Sequence, residues 1–226
     1  MTNREFAGAR TDNTLPYVLE PMAEDRRQLF TILDLLEKNE DHVVRADLAG
    51  ELVGTCSRYE DVKERVVYPA LARLVGDEGE LAQGEDDQQA VRDALVAIRK
   101  QTLHVKPAYV HLDDPDFEAT LDHLVELIHA HVEYEDEILF PVLAALNAEE
   151  RESLRSEVEH GVAHASTYPN PPKHLLGRAI VAVIEKLERG LDDESTPWHP
   201  GIELLDEALS SGAPCGPAGS ANGQDR

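Results

Sequence analysis

HVEYEDEILFPVL, His131 to Leu143, is the stretch that decides the fold, together with its echo YEDVKERVVYPAL, Tyr59 to Leu71. Each reaches a proline ten residues after it begins, with an aromatic residue immediately before that proline. Apolar residues recur at helical spacing in both, so each reads as the end of a long helix. In the later copy His131 and Glu135 stand four apart, so both side chains leave one helix face and can converge on a metal ion or a buried proton. In the earlier copy the matching positions hold Tyr59 and Lys63. The pattern is that of a duplicated helical scaffold that keeps half of a ligand set and exchanges the other half.

Outward from these two helix ends, the spacing predicts four long helices. The first covers Met22 to Lys38, with Met22, Arg26, Leu29, Phe30, Leu33 and Leu36 on one stripe. After a turn near Asn39 to Asp41, the second carries Leu48, Leu52, Cys56, Tyr59, Lys63 and Val66 and extends to about Val75, bending near Pro69. Gly76 to Asp87 reads as an acidic, glycine-containing connection. The third helix is expected from about Asp86 to Leu103, with Gln88, Val91, Leu95, Ile98 and Thr102 inward. The fourth starts near Asp116, and its stripe is Leu121, Leu124, Ile128, His131, Glu135, Ile138 and Val142. Four such helices argue for an all-α, up-down-up-down four-helix bundle.

The organisation expected is a disordered tail over 1–15, the bundle over 16–165, a proline turn and helical extension over 166–211, and a second disordered tail over 212–226. Within the later part, Asn147 can cap a short helix over Ala148 to His160. The stretch YPNPP, Tyr168 to Pro172, must be extended. Further helices are expected at about Lys173 to Leu191 and Ile202 to Ser210, packed outside the bundle or serving a homodimer contact.

A formal charge of -24, with scattered rather than clustered Lys and Arg, argues against nucleic acid as a partner. No apolar run approaches the roughly 18 residues of a membrane span, and the first residues, MTNREFAGARTDNT, lack a signal-peptide core. The expectation is a cytoplasmic protein. Its two cysteines, Cys56 and Cys215, form neither a disulfide framework nor a CxxC motif and read as free thiols.

The H-x-x-x-E-[DE]-x-x-[LIV]-[FY]-P pattern of the fourth helix, its V-V-Y-P echo in the second, and the long helix pairs resemble the hemerythrin-like (HHE cation-binding) family. That resemblance covers about Met22 to Asn170 and implies a bundle whose facing histidines and H-x-x-x-E pairs hold two irons, for binding or sensing oxygen, peroxide or nitric oxide. Carried over position by position, it implies that His131 and Glu135 are the fourth-helix ligands. The second helix offers Tyr59 and Lys63 in place of histidine and carboxylate. The first-helix histidine position falls at Arg26, and the third-helix one at Gln88 or Gln89.

Arg26 and Lys63 would point cations into the space where irons would sit, repelling a metal and favouring an ionised Glu135. The polar cluster expected to replace the metal is therefore Arg26, Tyr59, Lys63, Gln88, His131 and Glu135, with Glu135 paired to Lys63, Arg26 or both. Glu60 and Glu64 lie one residue out of phase and read as a solvated charged face. The expected function is that of a non-enzymatic binding, regulatory or scaffold protein without a cofactor, acting on an unidentified protein partner or small ligand. The alternative is an iron-binding protein with a reduced site, in which the metal ligands are His131 and Glu135. A weaker third reading makes Tyr59, Lys63 and Glu135 an acid/base cluster of a hydrolase or transferase.

Overall fold

A computed structural model describes residues 15–75, 78–103, 115–169 and 200–211. A 3-10 segment, Tyr17–Met22, leads directly into helix α1, Ala23–Lys38. Glu24 and Asp25 in its first turn and Lys38 in its last complement the helix dipole. Helix α2, His42–Val62, starts where the Asp41 side chain accepts from the free amides of Val43 and Val44. Helices α3, Tyr68–Val75, and α4, Glu78–Leu103, follow. Helix α5, Pro115–Tyr134, opens on a proline, whose missing N–H costs nothing in a first turn. Helices α6, Phe140–Ala145, α7, Ala148–Ala163, and α8, Pro200–Ser211, complete the set.

Long-range side-chain pairs fix the bundle. Asp25 meets Arg58 while Arg45 bonds the carbonyl of Leu36, so α1 and α2 run antiparallel. Tyr134 lies against Gly84 while Gln101 meets Thr120, so α4 and α5 do the same. Arg26 reaches Glu135 and Glu37 reaches His129, which sets α1 antiparallel to α5. The result is an all-α, up-down-up-down bundle. Helix α8 packs across α1 and α2, and α7 packs on the 3-10 segment and the far end of α2. Asn147 and Glu150 exchange side-chain-to-backbone bonds in a capping box that starts α7.

Between α2 and α3, and again between α5 and α6, the helix passes through one five-residue π turn: Lys63–Val67 in the first copy and Glu135–Leu139 in the second. In each, an aromatic residue donates to the carbonyl of the turn's first residue, Tyr68 to Lys63 and Phe140 to Glu135. The next residue is the proline. The helix continues past each proline as expected, and the wide turn just before it accommodates the missing amide.

The third helix departs most from the sequence reading. Gly76, Gly79 and Gly84 suggested a connection as far as Asp87, yet α4 begins at Glu78. Gly84 is a packing residue rather than a breaker: a Cβ there would lie 2.5 Å from Cε1 and 2.6 Å from Cζ of the Tyr134 ring. Alanine at this position would gain about 1 kcal/mol of helix propensity. Overpacking against a buried ring costs about 1–3 kcal/mol. Gly84→Ala should therefore lower the urea midpoint at an unchanged denaturant slope, and a Tyr134→Ala background should remove the loss. A midpoint at or above wild type would show that the ring yields freely.

Two apolar clusters fill the interior. One joins α1, α2, α4, α5 and Leu205 of α8, the other joins the 3-10 segment, the π turns, α3, α6 and α7. Residues 1–14, most of the loop before α5, the expected helix at 173–191 and the tail from 212 lie outside the described residues, as do Pro171 and Pro172.

Candidate metal or ion-pair centre

The polar residues lie where one apolar cluster gives way to the other. On α1, Arg26 falls between Met22 and Leu29. On the second arm, Glu60 and Lys63 follow Cys56, and on the fourth, His131 and Glu135 stand between Ile128 and Leu139. Each helix thus brings its polar group to one level of the bundle, and Lys63 and Glu135, the first residues of the two π turns, face each other there.

Lys63 is the centre. Its ammonium donates to Glu60 Oε1 at 2.7 Å, pairs with Glu135 Oε1, and meets His131 Nε2 at 2.8 Å. An ammonium has three donors, and all three are used. Because His131 Nε2 must accept, Nδ1 carries the ring proton, and Nδ1 is buried without a hydrogen-bond partner. Arg26 takes the other side of Glu135: Nη1 donates to Oε2 at 2.7 Å and to the Tyr59 hydroxyl at 3.2 Å, and Nη2 donates to Asp136 Oδ1 at 2.8 Å. Its guanidinium lies 5.0 Å from the Phe30 ring centroid and 4.9 Å from that of Phe140, so the charge is flanked by two aromatic faces. Tyr59 donates to Glu135 Oε2 at 3.1 Å.

The third helix contributes through Glu60. Gln88 Nε2 donates to the Glu60 carbonyl at 2.9 Å and to Glu60 Oε2 at 2.8 Å. Gln89, the other residue that the sequence left open, is exposed and bonds Asp93. Lys63 and Glu135 are 0% exposed, and two cations, Arg26 and Lys63, balance two buried carboxylates, Glu60 and Glu135. Asp136 sits half-buried at the edge.

The proton equilibria follow from this arrangement. Burial opposes ionisation of Glu135, but the charges of Lys63 and Arg26 outweigh it and hold the carboxyl below the usual carboxylate range. Burial likewise opposes the charge on Lys63, yet Glu135 and Glu60 keep its pKa above the ordinary lysine value. Burial, then the neighbouring ammonium, lowers His131, so the imidazole is neutral. Burial and then Glu135 raise the Tyr59 phenol. A lysine held charged and a phenol held protonated give no support to an acid/base cluster, which would need one of them poised near neutrality.

Glu60 is the residue the sequence reading missed. It was placed on a solvated face, but it is 3% exposed. The reason is that α2 is covered by α1, α4, α7 and α8, so near its C-terminal end Thr55, Ser57, Glu60 and Asp61 are buried along with the apolar stripe. One available signal was the spacing: Glu60 stands three residues before Lys63, within reach on the same helix. Glu64 also departs from a free solvated residue, being partly buried and paired with Arg92.

Among the described residues, Glu60, His131 and Glu135 form the group whose ligand atoms converge as a metal's would, within 4.8 Å of one another. The other histidines among the described residues do not add to it. His42 pairs with Glu118, His129 with Glu37, and the His160 ring lies tilted against that of His164. Cys56 is a buried free thiol whose pKa burial pushes up, and it is no ligand of this group.

Residues 18–143 match the family model of the hemerythrin HHE cation binding domain. No curated protein and no solved structure matches the chain. The matched span is more than half of the chain and takes in all four arms of the bundle and both proline-bearing helix ends. The chain belongs to the hemerythrin HHE cation-binding family.

Proposed function

We propose that this chain is a member of its family in which side-chain cations have taken over the structural work of the metal, and that it acts as a non-enzymatic binding, regulatory or scaffold protein. One observation carries the reading: the Lys63 ammonium stands among Glu60, His131 and Glu135, at the point where their ligand atoms converge. A metal ion could not share that position with an ammonium. Charge supports the same conclusion. With Arg26 and Lys63 against Glu60 and Glu135 the buried cluster is neutral, and two added metal ions would leave it strongly positive in an apolar interior.

No helix among the described residues is long and apolar enough to cross a membrane. The reading takes the protein as cytoplasmic, with a protein or small-molecule partner and a homodimer as its candidate assembly. The strong negative charge argues against nucleic acid. A second reading, iron held at a reduced site by His131 and Glu135, draws support from the same converging donors. Elemental analysis of protein purified from iron-supplemented culture separates the two. The proposal expects essentially no iron, the second reading expects about one per chain, and about two per chain, the content of di-metal carboxylate bundles, would overturn both.

A further inference from the structure

The place of a lost ligand is expected to be empty or refilled by its successor, and Lys63 refills one. Glu60, one turn earlier on the same helix, brings a different carboxylate to the same centre. His131 Nε2 lies 3.6 Å from Glu60 Oε2 and 3.6 Å from Glu135 Oε1. Nitrogen and oxygen donors about 2.1 Å from a tetrahedral ion stand about 3.4 Å apart, so His131 already stands from each carboxylate at nearly the spacing that one ion demands, and the three ligand atoms lie within 4.8 Å of one another. The site is also supported as metal carboxylates are. Gln88 bonds Glu60 Oε2, and Arg26 and Tyr59 bond Glu135 Oε2, orienting both groups, while Oε1 of each is held by the Lys63 ammonium at the centre.

Resting on the proposed function, we infer that Glu60, His131 and Glu135 form a one-cation site whose resident cation is the Lys63 ammonium, and that a single divalent transition ion competes with it. One imidazole and two carboxylates suit Zn2+, Fe2+, Mn2+ or Co2+. Lys63 is then an intramolecular competitor. Removing it vacates the position and leaves a carboxylate charge in excess over the remaining Arg26. The third ligand is Glu60 and not the residue at position 63, so the stoichiometry is one ion.

The test titrates Co2+ into wild type, Lys63→Met and Lys63→Met/Glu60→Gln, following visible absorption. The expected result is one Co2+ per chain in Lys63→Met, with affinity on the order of 100-fold or more above wild type, the scale of removing a like charge at contact. The added Glu60→Gln change should abolish the gain. Unchanged affinity in Lys63→Met, two ions per chain, or indifference to Glu60→Gln would each overturn the inference. If Lys63→Met does not fold alone, circular dichroism during Co2+ addition keeps the question open to decision. Recovery of helicity at one equivalent supports the site, and its absence defeats it. Iron in wild-type protein would defeat the functional proposal instead, whereas iron-free wild type with a folded variant that ignores Co2+ defeats this inference alone.

Discussion

Glu135→Gln should destabilise the protein by about 3–5 kcal/mol, the cost of breaking a buried ion pair from one side. Glutamine has nearly the shape of glutamate, so the change removes charge rather than volume. It leaves the Lys63 ammonium and the Arg26 guanidinium facing each other across a neutral amide, with Glu60 and the half-buried Asp136 as their remaining counter-charges. Against a total stability of about 5–15 kcal/mol, that is enough to bring the variant close to unfolding at ambient temperature. Urea denaturation provides the measurement, with the triple variant Lys63→Met/Glu60→Gln/Glu135→Leu as its control, which leaves Arg26 with Asp136. Removing the ammonium together with both of its carboxylates should cost far less than removing one charge alone. A Glu135→Gln protein as stable as wild type would mean that the cluster is solvated in solution and that its charges are not coupled.

Acid should unfold the protein in a window that His131 opens. The folded-state pKa of His131 is lowered by burial and by Lys63, so below about pH 6.5, its unfolded value, the unfolded chain binds a proton that the folded chain refuses. Stability must then fall as pH drops from there toward the folded value. Glu135, whose folded pKa is also lowered, adds a second loss beginning near pH 4.3, the unfolded glutamate value, and continuing until the folded carboxyl is protonated. The upper window isolates the histidine. At lower pH, protonation of surface carboxylates relieves repulsion in a chain of charge -24 and works in the opposite direction. Stability measured by urea titration between pH 7 and pH 5 should decline in wild type, and His131→Gln should flatten the decline. The same slope in both proteins would remove His131 from the account.

The fold was legible because two features repeat. Helical spacing of apolar residues located the arms, and the paired proline-bearing ends identified them as copies. Glu135 could be picked out because it interrupts an apolar stripe, where a charge must find a counter-charge, Lys63 because it holds the matching position of the echo, and Arg26 because the family resemblance puts a ligand position there. Glu60 could not, since a phase argument treats a helix as having one inner face, and α2 is covered on several. The start of α4 was hidden for a related reason. Glycine is read as a breaker from local propensity, but at Gly84 the decisive fact is a tyrosine ring from the next arm. Both misses are tertiary facts, and the one local sign, the three-residue spacing from Glu60 to Lys63, lies off the apolar stripe.

The matched π turns bear on how such a protein can change its chemistry. Both begin at the residue that faces the centre, Lys63 in one and Glu135 in the other, and both carry the chain past a proline in the same way. The two sockets are therefore structurally equivalent, and what differs is only the part plugged into each. One copy mounts an ammonium there and the other a carboxylate, on the same kind of turn. Gain or loss of an ion at this centre is a matter of exchanging interchangeable parts, within the reach of single substitutions, while the mountings stay as they are.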